Sequence, residues 1–350
     1  MELLKAGGPD IFGTADELRK NSPSATNIQG SLHVDTYLTN FSVMYVQDEA
    51  NFIAQRAASR IPVVKQTDLY VIYDRGYFWR DDVVPRPLGG RPQQVGYKVE
   101  EGTYSCVEYA LEHVIDDRQR QNADDPINLE ENAAILLTQK NMIKQDRVWC
   151  QRFFRRNVWS VDYEGVDSPP AGATQFLKFT DPSSEPIAVI DAAKDAMARA
   201  TGFTPNTLVL GAAVKRTLRS HPDLSDRIKY TQRGVVDDAI LASLFEVDNV
   251  ITARSVYNAA AEGAANNFQF IADENSMWLG YIDPNPTINS PTSIALFSWT
   301  GLIPGYTNQL GGVIERGRDE RAHSDYFQGR MAWDLRLVAS DLGIFFADVV

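Results

Sequence analysis

Residues 128–159 read NLEENAAILLTQKNMIKQDRVWCQRFFRRNVW and contain neither Gly nor Pro. Asn128 is placed to cap the first turn of a helix, with Glu131 three residues on, where a capping box puts its acid. Glu130 and Glu131 open the segment, and Arg147, Arg152, Arg155 and Arg156 crowd its end. Both placements suit the helix dipole. Leu129, Ala133, Leu136, Ile143, Cys150 and Phe154 recur at spacings of three, four or seven; Leu137, Trp149, Phe153 and Val158 widen the stripe. At 1.5 Å per residue such a helix is about 45 Å long. A rod of that length crosses a large domain or serves as its spine.

The 350 residues leave room for two or three domain-sized units, or one domain with a large insertion. Against 34 basic residues stand 46 acidic ones, a formal charge of −12 that disfavours a non-specific nucleic-acid surface. Cys106 and Cys150 are the two cysteines, without a CxxC, which argues against a disulfide framework or zinc site and for a reducing compartment. The start has no signal-peptide pattern, and no apolar run approaches a membrane span.

Residues 1–45 are small and polar enough to be an arm, laid across a neighbour or loose. Residues 46–60 are expected to be helical, with Phe52, Ile53 and Ala57 apolar, stopping at Ile61-Pro62. Leu69, Val71 and Tyr73 alternate as a strand, and alternation returns at Val95, Tyr97 and Val99 through Tyr104. Between them lies an irregular tip of about 20 residues, rich in Pro and Gly, that carries Tyr77, Phe78 and Trp79 together. Loops of that length are usually functional or held by a partner, and three adjacent aromatics are costly to leave in water. A second helix is expected from Ser184 or Glu185, with Ile187, Ile190, Ala193, Met197 and Ala200 on one face and Gly202 closing it. From Pro205 onward short strands alternate with short helices, as in an α/β layer. The apolar segment 342–350 is expected to be buried or docked.

A search for chemistry finds little. His33, His113, His221 and His323 form no metal spacing, and there is no GxSxG, GxGxxG or Walker A sequence. His221 reads as a helix-ending residue. The turn after Leu210 lacks the second glycine of a phosphate loop. The acidic pairs, such as Asp81-Asp82 and Asp116-Asp117, lack EF-hand spacing. No catalytic, cofactor-binding or metal-binding residue is assigned, and no cofactor is expected. Arm, projecting hairpin and long helix suit a building block whose exposed surface is satisfied by neighbouring copies.

The ordered parts resemble the major capsid proteins of tailed bacteriophages with the Hong-Kong-97-type fold. The stretches that carry the resemblance are Phe52-Ile53-Ala54, Ile61-Pro62-Val63, Asp68-Leu69-Tyr70, Tyr109-Ala110-Leu111, residues 126–131, 205–210, His221-Pro222, 241–245, Trp333 and 343–346. The resemblance implies an α+β chain. It has an N-terminal arm (1–45), an extended β-hairpin loop (61–105), a peripheral domain (46–60, 106–203 and 301–350) with spine helix 128–159, and an α/β axial domain (204–300). It implies a major head protein, not an enzyme, that self-assembles into hexamers and pentamers of an icosahedral shell around double-stranded DNA. The virion would be its destination and the host cytoplasm its place of assembly, with no membrane. A hairpin reached by residue 61 leaves no room for a built-in scaffolding region, so a separate scaffolding protein is implied, Met1 favouring that over a segment removed upstream. A portal at one vertex and a decoration protein are further partners. Tyr77, Phe78, Trp79, Arg80, Arg86 and Arg91 at the tip, with Arg152, Arg155 and Arg156, are the candidates for intersubunit contact. An encapsulin-like compartment shell shares the fold, and an α/β enzyme without a recognisable site is the remaining alternative.

Overall fold

In the computed structural model the described residues are 33–34 (as backbone), 51–73, 75–86, 88–121, 129–228, 237–288, 290–302 and 312–350. The expected cap Asn128, most of the arm and the first part of the expected 46–60 helix lie outside them. The strands are β1 (His33–Val34), β2 (Ser59–Val63), β3 (Thr67–Tyr73), β4 (Val99–Ser105), β5 (Val107–Asp116), β6 (Val161–Val166), β7 (Gln175–Leu177) and β8 (Thr207–Gly211). They continue with β9 (Asn249–Ala253), β10 (Val256–Asn258), β11 (Phe268–Phe270), β12 (Met277–Gly280), β13 (Ile294–Trp299), β14 (Gly312–Asp319), β15 (Ser324–Leu337) and β16 (Gly343–Ala347). The helices are α1 (Arg75–Phe78), α2 (Asp117–Gln121), α3 (Leu129–Phe153), α4 (Pro186–Thr201), α5 (Ala212–Ser220), α6 (Pro222–Ile228) and α7 (Asp238–Phe245).

Two six-stranded sheets carry the fold. One runs β1-β14-β15-β13-β2, with β5 also paired to the 14-residue β15. The other runs β7-β6-β16-β12-β8-β9. The expected division at 204 and 300 does not follow these sheets. β13 (Ile294–Trp299) pairs with β15 and β2 in the first, while β6, β7 and β16 join the second. Ile61 and Val63, expected in the extended loop, are buried in β2, which pairs parallel with β13. β2 is an edge strand, where Pro62 withholds no hydrogen bond the sheet needs. The expected helix over 46–60 is absent from 51–60. There the chain makes a turn at Ile53–Ala57, closed by the Ala57 N–H on the Ile53 carbonyl at 2.7 Å, and enters β2.

The spine helix α3 is 25 residues, about 37 Å at the helical rise. It ends at Phe153 rather than 159 because Asn157 adopts a left-handed conformation (φ 63°), its N–H bound by Asp162 at 2.7 Å. The Trp159 indole then donates to the Phe153 carbonyl at 2.8 Å, satisfying one of the free carbonyls of the helix end. The buried face also differs from the expected stripe: Leu136 is exposed, whereas Asn141, Gln145 and Asp146 are buried. α3 lies on β15 at Gly329, where an added Cβ would sit 3.1 Å from Leu137.

The first half of α3 packs Ala133, Ala134 and Leu137 on Ile115, Ile314 and Phe327. Its second half joins the main core, where Trp149, Trp278, Trp333 and Phe345 meet between the two sheets. The opposite face of the second sheet is covered by α4 to α7 through Ile190, Met197, Val214, Leu218 and Phe245. α4 starts with Pro186 at its first position and closes on Gly202 (φ 69°), as expected; Ala200, expected on its apolar face, is exposed and Thr201 is buried instead. The segment 342–350 supplies β16, a central strand with every residue buried.

Candidate assembly surface

β3 and β4 pair antiparallel from Thr67–Ser105 to Tyr73–Val99, forming a two-stranded hairpin. Its base is fixed to the body by aromatic packing. The Tyr104 ring stacks on Phe297 at 4.5 Å and Tyr70 lies at 5.5 Å from the same ring. Tyr70 also covers Gly102, where a Cβ would meet the ring at 2.3 Å. The Ser105 N–H donates to the Asp334 carboxylate at 3.0 Å, and Arg152 and Arg336 pair with the same group. Cys106, beside this base, is buried and its thiol is pushed up to about 12 by burial, so it is a packing residue at neutral pH.

At the far end α1 turns the chain after β3, and residues 91–98 have no regular structure before β4 begins at Val99. The expected strand at 95–98 is therefore not formed. Tyr73, Phe78 and Tyr97 cluster with ring centroids 5.6–5.8 Å apart. The Arg80 guanidinium lies over the Tyr77 ring at 5.3 Å, and Arg86 donates to the Gly90 carbonyl at 2.6 Å. An open cleft of about 600 Å³ is lined by Tyr77, Phe78, Val84, Arg91, Val95 and Tyr97. Tyr77, Phe78 and Trp79 are 42%, 58% and 54% exposed, so half of a large aromatic surface faces water. The hairpin is not wholly free of the body: the Trp79 ring lies over Gly202 at the end of α4, within 2.9 Å of where a Cβ would stand.

The three arginines at the end of the spine are not at the tip, and two are engaged within the chain. Arg152 donates to the Leu335 carbonyl at 2.7 Å and pairs with Asp334 at 3.3 Å. Arg156, beyond the helix, pairs with Glu164 at 2.9 Å and with Asp348. Arg155 is exposed, with no ionic partner among the described residues. A second charged cluster, not anticipated from sequence, gathers Arg120, Arg316 and Arg318 around Asp325 at 2.6–3.0 Å. Burial alone would raise the Asp325 carboxyl, but the three guanidiniums hold it down at about 2. The cluster ties α2 to the β14–β15 turn. Among the described residues no group of three or more metal-ligating side chains occurs, and no helix is long and apolar enough to cross a membrane.

A family model described as phage major capsid protein E matches residues 171–280. The major capsid protein of Burkholderia phage BcepMu is 30% identical over 226 residues, which cover 64% of this chain and 70% of that protein. The chain belongs to the phage major capsid proteins. Two solved structures share the capsid protein's fold. A phage-related protein from Bordetella bronchiseptica RB50 superposes with a TM-score of 0.67 at 21% identity, over 91% of this chain and 98% of the other. The capsid of cyanophage P-SCSP1u gives 0.52 at 9% identity, over 98% of both chains. Family membership favours a phage shell over the compartment and enzyme readings, and self-assembly into a shell within the virion follows from it.

Proposed function

We propose that this capsid protein builds an icosahedral head of hexamers and pentamers around double-stranded DNA, on a Hong-Kong-97-type plan. In this reading β3 and β4 are the extended loop, lying over an adjacent subunit, and α3 is the spine of the peripheral domain. The layer around β8, β9 and β12 is the axial domain. Assembly takes place in the host cytoplasm with a separate scaffolding protein, a portal at one vertex and a decoration protein as further partners. Packaged DNA is touched non-specifically, and the acidic balance of the chain keeps it from being held by counterion release.

The observation that carries the reading is the hairpin tip, whose aromatic side chains are about half exposed and whose Arg80, Arg86 and Arg91 are exposed. Those residue types anchor protein interfaces once buried. Electron microscopy of the purified chain, alone and with its scaffolding partner, tests it. Deleting residues 77–91 is expected to abolish shells while circular dichroism still reports a folded monomer; intact shells from that deletion would refute the role given to the hairpin.

A further inference from the structure

β5 is a ten-residue strand that, among the described residues, pairs along one side only, with β15. No described residue pairs with the backbone along its other side. Soluble proteins blunt such edges with Lys, Pro or a bulge, because a long bare edge is a template for another chain. β5 (VEYALEHVID) has no Lys, Arg or Pro, and it exposes Val107, Leu111 and Val114 at 52%, 42% and 49%. The molecule also holds a strand-patterned segment that no described strand pairs with. Residues 93–98 (QQVGYK) carry strand alternation and run directly into β4, yet have no regular structure. β3 has already ended at Tyr73 and turned into α1, so no edge within the hairpin remains for them.

We propose that residues 93–98 of one copy add to the open edge of β5 of a neighbouring copy as an antiparallel strand, with Val95 opposite Val114. This rests on the reading of the hairpin as an intersubunit element and names the surface that receives it. A chain cannot pair these two parts of itself. β4 leads into β5 through Cys106 alone, so 93–98 begin a full β4 length away, about 23 Å for seven residues. Charge supports the match. Residues 75–98 hold five basic side chains against two acidic ones, in a chain of formal charge −12. β5 carries Glu108, Glu112 and Asp116, and Glu112 has no ionic partner among the described residues. In this register Tyr97 lies opposite Glu112 and Gln93 opposite Asp116, so no like charges oppose each other across the pair.

Cysteines at Val95→Cys and Val114→Cys in one chain test the register, the native cysteines being buried. Oxidised shells of the double variant are expected to give a ladder of covalent multimers on a non-reducing gel, and neither single variant should. Shells without the ladder, or a ladder from one variant alone, would overturn the pairing. Should the double variant fail to assemble, Val114→Arg decides. It should lower shell yield about tenfold or more, as expected for losing on the order of one good contact per subunit. Adding Val95→Glu should restore it, and undiminished assembly of V114R would overturn the proposal. Loss of shells on deleting 77–91 together with unlinked cysteines would reject this edge and leave the hairpin reading standing.

Discussion

The Asp146 carboxylate sits at 1% exposure where the segment before β2 crosses the spine helix. It accepts the N–H groups of Ile53 at 3.0 Å and Ala54 at 2.8 Å, and the neighbouring Gln145 reaches Gln55 at 3.2 Å. Burial pushes this carboxyl up to about 6, against the two N–H groups that favour its charged form. A folded-state value above the unfolded 3.8 means that the native state holds the proton more tightly. The stabilisation is therefore complete below about pH 4 and is lost as pH rises through about 6. The unfolding free energy from denaturant melts should accordingly fall between pH 5 and pH 7.5 by roughly 1–2 kcal/mol from this group. Asp146→Asn should flatten that dependence, and a variant that keeps it would place the titration elsewhere. Asp146→Ala should cost about 1–3 kcal/mol by stranding two buried N–H groups. This residue was not legible from sequence, because a search for apolar periodicity passes over polar side chains on a helix face. The cysteines were legible: apolar neighbours announced packing, and both are buried.

At the scale of elements, the spine helix and the aromatic hairpin tip are plain in the sequence, each being strongly patterned over many residues. Their limits are not, since they depend on distant partners. The end of α3 is set by Asp162 holding Asn157 and by Trp159 folding beneath Gly343. A Cβ on Gly343 would stand 2.2 Å from the Trp159 ring. Gly343→Ala should therefore expel that indole, change tryptophan fluorescence and destabilise by about 1–3 kcal/mol. An unchanged spectrum and midpoint would show that the ring has room to move. Local pattern misleads at β2: Phe52, Ile53 and Ala57 fit a helical spacing, but Ile53 and Ala57 are buried in a turn that leads into a strand, and tertiary packing overrides the pattern. Residues 95–98 fail in the opposite sense, a strand pattern without a strand, and that mismatch is what pointed to a neighbour.

For the whole molecule, the α+β class and the buried final segment were readable, but the way the sheets draw on the chain was not. Hydrophobic pattern says that a strand is buried and is silent on which strand lies beside it. β2 at residues 59–63 lies beside β13 at 295–299, and β16 runs between β6 and β12. Removing residues 343–350 takes out a central strand with neighbours on both sides. The truncated chain is expected to yield no cooperative unfolding transition in solution, and a native-like melt from it would contradict the role given to β16. The pairing of β2 with β13 also sets the tempo at which a subunit matures. More than two hundred residues must be threaded into place before that parallel pair can close, and contacts so distant along the chain form slowly. Until then bare strand edges stand open at the concentrations a virion factory requires, where adhesion between unfinished chains competes with completion. Folding of the subunit is thus expected to be paced by this distant pairing.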